Sequence, residues 1–264
     1  MQPYTGFAEV YDKFMNNVPY DHWADFVDEL LMRYGAKKGL LLELGCGTGS
    51  MTERMAARGY DLIGVDFSED MLAQAQEKKI ASGHEILYLN QDMRSFELYG
   101  TVAGVYCVCD SLNYILDYDE LVQVFRLVNN YLDPGGIFVL DFTTEKNFSD
   151  GLREIPIVES DGDDIMIWEN IYDEEEAVNE HRLTFFLCAE DGRYDRVDEV
   201  HLQRAYSLAE IHGALADSGM IFLDAFDSET HGEPCADSVR IHCVAKENGK
   251  QVTAEKREES KEDV

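Results

Sequence analysis

No run of about 18 apolar residues occurs in this chain, so no membrane-spanning helix is expected. The opening stretch MQPYTGFAEVYDKF has no basic segment leading into an apolar one, so no secretory signal is expected either. Basic residues are scarce: 22 Lys and Arg stand against 53 Asp and Glu, a formal net charge of −31. The segment from Lys246 to Val264 carries 5 basic and 6 acidic residues, so the excess acid lies in the body of the chain. A body this acidic repels phosphate backbones, and nucleic acid is not expected as a partner. Solubility is the simplest use of such a charge. Cysteines are few and scattered, at 46, 107, 109, 188, 235 and 243, mostly within apolar segments. They read as reduced, buried thiols of a cytoplasmic protein. Cys107-Val-Cys109 has the look of a metal pair. In a strand, however, the two share a face, and no second Cys or His cluster accompanies them. The seven histidines show no ligand spacing, and no metal is expected.

What is present is an alternation. A length of 264 residues suits one large domain, or a core with an insertion. Residues 21–34 place Trp23, Phe26, Val27, Leu30 and Leu31 at helical spacing, with Gly35 as a stop; Trp23 reads as a core residue. Strands are expected at 39–44, 60–66, 85–92, 102–110 and 136–142. Helices are expected at 49–59, 68–80 (with Ser68 as N-cap) and 117–132. Strands alternating with helices imply an α/β, doubly wound and mostly parallel sheet. Between 153 and 206 the helical period disappears and β-type runs take over, with EDGR at 190–193 as a hairpin turn. A helix over 207–219 and strands over 221–227 and 238–246 follow. The organisation expected is a lid and helix over 1–35, a core over 36–145 and 207–246, a small antiparallel β insertion over 146–206, and a disordered tail over 247–264.

The most informative stretch is LLELGCGTGS, residues 41–50. Gly45, Gly47 and Gly49 follow an apolar strand and open a helix. Glycine lets the backbone turn sharply and lets a ligand approach the main chain. The nicotinamide form, Gly-x-Gly-x-x-Gly, is not met, because position 50 is Ser and the third glycine comes one residue early. The Gly-Lys-Ser/Thr of a phosphate loop is also absent. Asp66 ends the second strand, where a carboxylate can accept hydrogen bonds from both hydroxyls of an adenosine ribose. Asp92 ends the third strand, where an adenine edge would sit, with Met93 able to pack on the ring.

With LLELGCGTGS, the segments GVDFSEDML, NQDMRSF, CVCDSLNYI and DPGGIFVLDF resemble, in order and spacing, the successive motifs of class I S-adenosylmethionine-dependent methyltransferases. The resemblance spans roughly residues 4–245. It implies a Rossmann-like seven-stranded sheet with a reversed final strand, and S-adenosylmethionine as cofactor, released as S-adenosylhomocysteine. By the same resemblance Gly45, Cys46, Gly47 and Gly49 line the methionine part and ribose, and Glu43 and Thr48 are also counted among the cofactor-binding residues. Asp66 holds the ribose hydroxyls, and Phe67 and Met71 pack near the adenine. Asp92 bonds the adenine amino group and Met93 covers the ring, while Val108 and Cys109 offer backbone near the amino-acid end. YTGFAEVYDKFM and YDHW are similar to the lid of small-molecule methyltransferases, in particular the glycine/sarcosine N-methyltransferase-like group and uncharacterised bacterial relatives. That likeness puts Tyr11 over the cofactor. One departure matters. The glycine enzyme carries an arginine just after its fifth strand for the substrate carboxylate, and LDFTTEKN has none.

For the acceptor, DSLNY follows the fourth strand, so Asp110, Ser111, Asn113 and Tyr114 are candidate pocket residues. His201 and Arg204 lie on the last run of the insertion and, three apart in a strand, face opposite ways, so one of them at most points inward; Arg204 is taken as the candidate. No His/Asp pair stands out as a base, and no catalytic residue is assigned. An amine or a carboxylate is therefore the expected small-molecule acceptor, methylated by direct displacement. The alternative is a protein of this fold that binds the cofactor but acts as an assembly or regulatory partner. Oligomeric state is not legible.

Overall fold

The structure, a computed structural model, describes residues 8–15, 18–151 and 155–250. The tail expected to be disordered lies outside these residues from position 251 onward. Helix α1 (Ala8–Phe14) leads into α2 (Tyr20–Arg33). Strand and helix then alternate through β1 (Leu40–Leu44), α3 (Ser50–Ala57), β2 (Asp61–Asp66), α4 (Glu69–Ser82), β3 (Ile86–Asn90) and β4 (Val102–Cys107). A 3-10 turn (Ser111–Tyr114), α5 (Tyr118–Tyr131) and β5 (Leu132–Thr143) follow. The insertion supplies β6 (Ile157–Asp161), β7 (Asp164–Asp173), β8 (Val178–Cys188) and β9 (Tyr194–Arg204). The chain returns through α6 (Leu208–Asp217), β10 (Ile221–Asp227) and β11 (Arg240–Lys246).

The main sheet has seven strands in the order β10-β11-β5-β4-β1-β2-β3. All pairings from β5 to β3 are parallel, while β11 runs antiparallel to both β5 and β10. The reversed final strand is therefore wedged between its neighbours. Strand order reverses beside β1, between β4 and β2, and a crevice at such a switch point is where open α/β sheets bind ligands. Leu41, Leu42 and Leu44 are fully buried because helices cover both faces, which is why β1 reads as a continuous apolar run. One apolar cluster joins the sheet to α5 and α6, and the other joins it to α2 and α3. The caps are local chemistry. Ser68 accepts from Met71 N at 3.3 Å to start α4, and Asp117 accepts from Asp119 N at 2.8 Å and from Glu120 N at 3.1 Å to start α5. β5 starts four residues before its expected beginning at 136, because Leu132 already pairs with Val102 ahead of a register shift.

The second sheet is antiparallel, in the order β6-β7-β8-β9. Met166, Leu183 and Phe185 form an apolar patch on its inner face, but along β9 that face is polar: Glu199, His201 and Gln203 are buried at 4%, 2% and 7% exposure, whereas the intervening Val200 and Leu202 stand at 52% and 41%. This inverts the usual burial of apolar residues on the covered face of an antiparallel sheet. Among the described cysteines Cys235 is exposed and the others are buried or partly so, and all are free thiols. No described helix is long and apolar enough to cross a membrane.

Candidate active site

The glycine loop folds back on β2. Gly45 N and Cys46 N both donate to Val65 O, at 2.8 and 3.0 Å. Gly45, Gly47 and Gly49 all take positive φ, at 69°, 51° and 75°. Their surroundings differ. A Cβ on Gly49 would stand 2.4 Å from the Tyr88 hydroxyl, whereas one on Gly47 would meet nothing within 4 Å. Gly49 thus permits close packing, and Gly47 leaves its backbone open to a cavity of about 160 Å³.

Two carboxylates border this cavity from below. Asp66 Oδ2 accepts from Gly47 N at 2.8 Å and Oδ1 from Ser68 N at 2.9 Å. Burial pushes its carboxyl above the ordinary value, opposed by those backbone donors. Glu43 is buried beneath the loop, where Oε2 accepts from the Thr52 hydroxyl and from Tyr106 OH, the latter at 2.9 Å. Loss of solvation lifts its carboxyl to about 8, more than the two hydroxyl donors lower it. At the far end Asp92 is gripped by Arg94, whose Nη2 donates to Oδ2 at 2.6 Å and whose Nε donates to Oδ1 at 3.0 Å. That guanidinium holds Asp92 below the usual carboxylate range.

Helix α1 is latched over the loop. Asp12 accepts from Thr48 Oγ1 at 2.7 Å and Ser50 Oγ at 3.2 Å, and its other oxygen lies 2.6 Å from Lys78 Nζ of α4. The latch places Tyr11 at the junction between the first cavity and a second one of about 300 Å³. Tyr20, Cys109 and Tyr114 also line both.

The second cavity lies between α1, α2 and the inner face of the antiparallel sheet. Arg240 enters it from β11, with Nη2 2.7 Å from Asp110 Oδ2, Nη1 2.8 Å from Asp141 Oδ2, and its guanidinium carbon 4.9 Å from the Trp23 ring centroid. Cys109 and Asp110 hold positive φ of 64° and 63°, uncommon for residues with a Cβ. Asp141 holds that turn by accepting from Cys109 N at 3.1 Å and Asp110 N at 3.2 Å. Trp168 Nε1 donates to His181 Nδ1 at 3.0 Å, and His181 Nε2 lies 2.9 Å from Gln203 Oε1. Burial lowers the His181 pKa.

Most candidates from the sequence meet here. Tyr11, Glu43, Gly45, Cys46, Gly47 and Thr48 line the first cavity, as do Asp66, Phe67, Met71, Asp92, Met93 and Cys109. Gly49 and Val108 do not: Gly49 abuts Tyr88, and Val108 is buried with its carbonyl accepting from Ser111 Oγ at 3.0 Å. Among the acceptor candidates Asp110 borders the second cavity, Ser111 the first and Tyr114 both. Asn113 lines neither. Its buried amide spends its hydrogen bonds on Thr143 O at 3.0 Å, Arg204 O at 2.7 Å and Thr143 N at 2.9 Å, stapling the 3-10 turn to β5 and β9. Arg204 also points away, to Glu210 at 2.8 Å, while His201 faces inward. The parity reading of β9 holds, but the inward residue is His201. Trp23 packs on the core and also walls the second cavity. Lys78, His181 and Arg240 lie outside the motifs, and Asp12 and Asp141 lie within YTGFAEVYDKFM and DPGGIFVLDF without a role assigned to them there. For the two histidines and Gln203, the only signal is polar residues at alternate positions of one strand face.

A family model described as a methyltransferase domain matches residues 41–136. The chain is similar to the methyltransferase-family protein YqeM of Bacillus subtilis (strain 168), at 33% identity over 93% of this chain and 97% of that protein. It is 28% identical to a dTDP-3-amino-3,4,6-trideoxy-alpha-D-glucopyranose N,N-dimethyltransferase of Streptomyces venezuelae, over 81% of this chain and 89% of that one. Among solved structures, an S-adenosylmethionine-dependent methyltransferase from Clostridium acetobutylicum ATCC 824 matches with a TM-score of 0.83 and 29% identity, covering 93% of this chain and 99% of that chain.

Proposed function

The chain belongs to the class I S-adenosylmethionine-dependent methyltransferases, and from that premise we propose that it methylates the nitrogen of a small amine held in the second cavity. The observation that carries this reading is the state of Arg240. Among the described residues it is the only Lys or Arg lining that cavity, and Asp110 and Asp141 already engage it. A carboxylate acceptor would meet a guanidinium whose charge two acids already offset. An amine instead meets Asp110 and Glu159, with Trp23, Phe148 and Trp168 as aromatic walls. The N,N-dimethyltransferase name of the Streptomyces relative agrees with an amine acceptor.

The first cavity suits the family's cofactor. The open backbone at Gly47 lets a ligand lie against the loop. Each Asp66 oxygen accepts one backbone N–H and keeps lone-pair capacity for a ribose hydroxyl. In this reading Asp92 and Met93, which line the same cavity, take the adenine, with Phe67 and Met71 of that lining beside them. When bound, S-adenosylmethionine supplies a methyl group activated on a sulfonium. The task left to the protein is to aim a nitrogen lone pair and exclude water, an alignment that contributes about 7–11 kcal/mol in well-oriented systems. Tyr11, Tyr20, Tyr114 and Cys109 frame the passage where that alignment takes place. With a small-molecule acceptor, the setting proposed is the cytoplasm.

The test is product analysis with S-adenosylmethionine and matched pairs of amines and carboxylic acids built on the same skeletons. N-methyl products support the reading, and methyl esters with no N-methyl product would overturn it.

A further inference from the structure

The wall of the second cavity holds a run of hydrogen bonds whose direction is fixed from one end. An indole N–H only donates, and Trp168 Nε1 meets His181 Nδ1 at 3.0 Å. A proton on Nδ1 would face that N–H, so Nδ1 keeps its lone pair and the imidazole proton sits on Nε2. Asn179 Nδ2, at 3.2 Å from Nδ1 and 3.1 Å from Nε2, is a second donor and can serve only the same lone pair. Phe148 packs edge to face against this imidazole at 5.7 Å between centroids, and Trp168 lies tilted to it at 5.5 Å. His181 Nε2 then donates to Gln203 Oε1 at 2.9 Å. A carboxamide has one oxygen and one NH2, so committing Oε1 to the ring turns Gln203 Nε2 the other way. No described residue besides His181 bonds the Gln203 side chain. Its Nε2 is not one of the buried atoms left without a partner, so it opens on the cavity that Gln203 lines.

We propose that Gln203 determines acceptor specificity by donating a hydrogen bond from Nε2 to an uncharged oxygen of the small amine, with Trp168 and His181 as positioning residues that fix the direction of its amide. This rests on the amine reading above and narrows the substrate class. The oxygen is uncharged because Asp110 and Glu159 line the same cavity and disfavour an anion there. It is also set apart from the reacting nitrogen. Gln203 lies two residues, about 7 Å, along β9 from His201, whose ring meets Tyr114 at the passage. The favoured acceptor is therefore an amine that carries an ether, hydroxyl or carbonyl oxygen elsewhere on its skeleton. A hydrocarbon amine of the same shape forgoes that bond and leaves the Gln203 NH2 facing carbon.

The experiment titrates the full chain, loaded with S-adenosylhomocysteine, with cyclohexylamine, tetrahydropyran-3-amine and tetrahydropyran-4-amine. The three share one ring shape, and the ether oxygen that replaces a CH2 only accepts. One of the two oxygen-containing amines should bind about tenfold more tightly than cyclohexylamine. Gln203→Leu should bring that ratio to about one. So should Gln203→Glu, whose carboxylate still accepts from His181 but has no N–H to offer. Trp168→Phe keeps a ring in the wall and removes the N–H that sets the imidazole, so the ratio should fall about threefold; a purely structural role would weaken all three amines alike. Unchanged S-adenosylhomocysteine affinity shows that the variants fold. No preference in the parent protein, or one that survives in Gln203→Leu, overturns the proposal, as does an Nδ1–H tautomer of His181 in long-range proton–nitrogen NMR. Turnover with S-adenosylmethionine tests the amine reading separately. N-methyl products with no oxygen preference leave that reading standing and overturn this one. A preference lost in Gln203→Leu, with no N-methyl product, supports the role of Gln203 and fails the amine reading.

Discussion

The backbone N–H of Gly47 donates to Asp66 Oδ2 at 2.8 Å, so the middle glycine of the loop and the acid ending the neighbouring strand hold one another. Asp66 Oδ1 is tied to Ser68 N at 2.9 Å, at the start of α4. Asp66→Asn turns one of these acceptors into an amide donor facing a backbone N–H. The expected result is S-adenosylmethionine binding weaker by about 10²-fold, roughly 2.7 kcal/mol. Calorimetric titration measures it, and unchanged affinity would remove Asp66 from the binding site.

Two glycines of the same loop separate lining from packing. Ala at Gly47 meets no neighbour, so its cost is the strain of φ 51°, about 1–2 kcal/mol, and its methyl intrudes on the cavity. Ala at Gly49 adds a collision with Tyr88 OH at 2.4 Å and a tight contact with Ala75 Cβ at 3.1 Å. Gly47→Ala should mainly weaken cofactor binding, and Gly49→Ala should mainly lower the melting temperature of the unliganded protein. The opposite pattern would mean that the loop presents a different glycine to the ligand.

The contrast bears on what was legible beforehand. Gly45, Gly47, Asp66 and Asp92 are readable because strand, turn and acid are close in the chain, and a loop after a buried strand has few ways to fold. Arg240 is not: 130 positions separate it from Asp110, and only the insertion of β11 beside β5 brings them together. The inner face of β9 was half legible. Parity separates His201 from Arg204, but the rule that apolar residues face inward would have turned Val200 and Leu202 toward the core. Here the space that β9 covers is a cavity to which His201 and Gln203 supply a buried polar side opposite aromatic walls, so on this strand the rule inverts. Asn113 misled for a related reason. A polar residue next to a site serves the backbone as readily as a ligand, and only its partners distinguish the two.

Arg240 and its acids make a prediction about selectivity and one about stability. Asp110→Asn leaves the guanidinium with Asp141 as its only carboxylate and frees capacity for an acidic ligand. Discrimination for amines over matched carboxylates should fall by about tenfold or more, seen as a lower kcat/KM for the amine and new binding of the acid. Arg240→Met strands Asp110 and the fully buried Asp141 without a cation, and should cost about 3–5 kcal/mol in urea unfolding. A loss under about 1 kcal/mol would mean that water already solvates the group.

Glu43 should make the protein's stability and its cofactor affinity depend on pH in opposite senses. Its carboxyl is raised from an ordinary 4.5 to about 8 in the fold. Between these values the folded state holds a proton that the unfolded state has released, so stability falls as pH rises through the window and levels off above about 8. Glu43→Gln cannot ionise, and its carbonyl oxygen can still accept from Thr52 and Tyr106. The variant should match the parent near pH 5 and exceed it by on the order of a few kcal/mol near pH 8, as read by urea unfolding across that range. A cationic ligand beside Glu43 favours the ionised form. S-adenosylmethionine affinity should therefore rise with pH toward 8 in the parent, with proton release on binding. S-adenosylhomocysteine lacks the sulfonium charge and should show a smaller rise, and Glu43→Gln should show little. A parent protein whose stability is flat between pH 5 and 8 would place the Glu43 proton elsewhere and remove the basis for both trends.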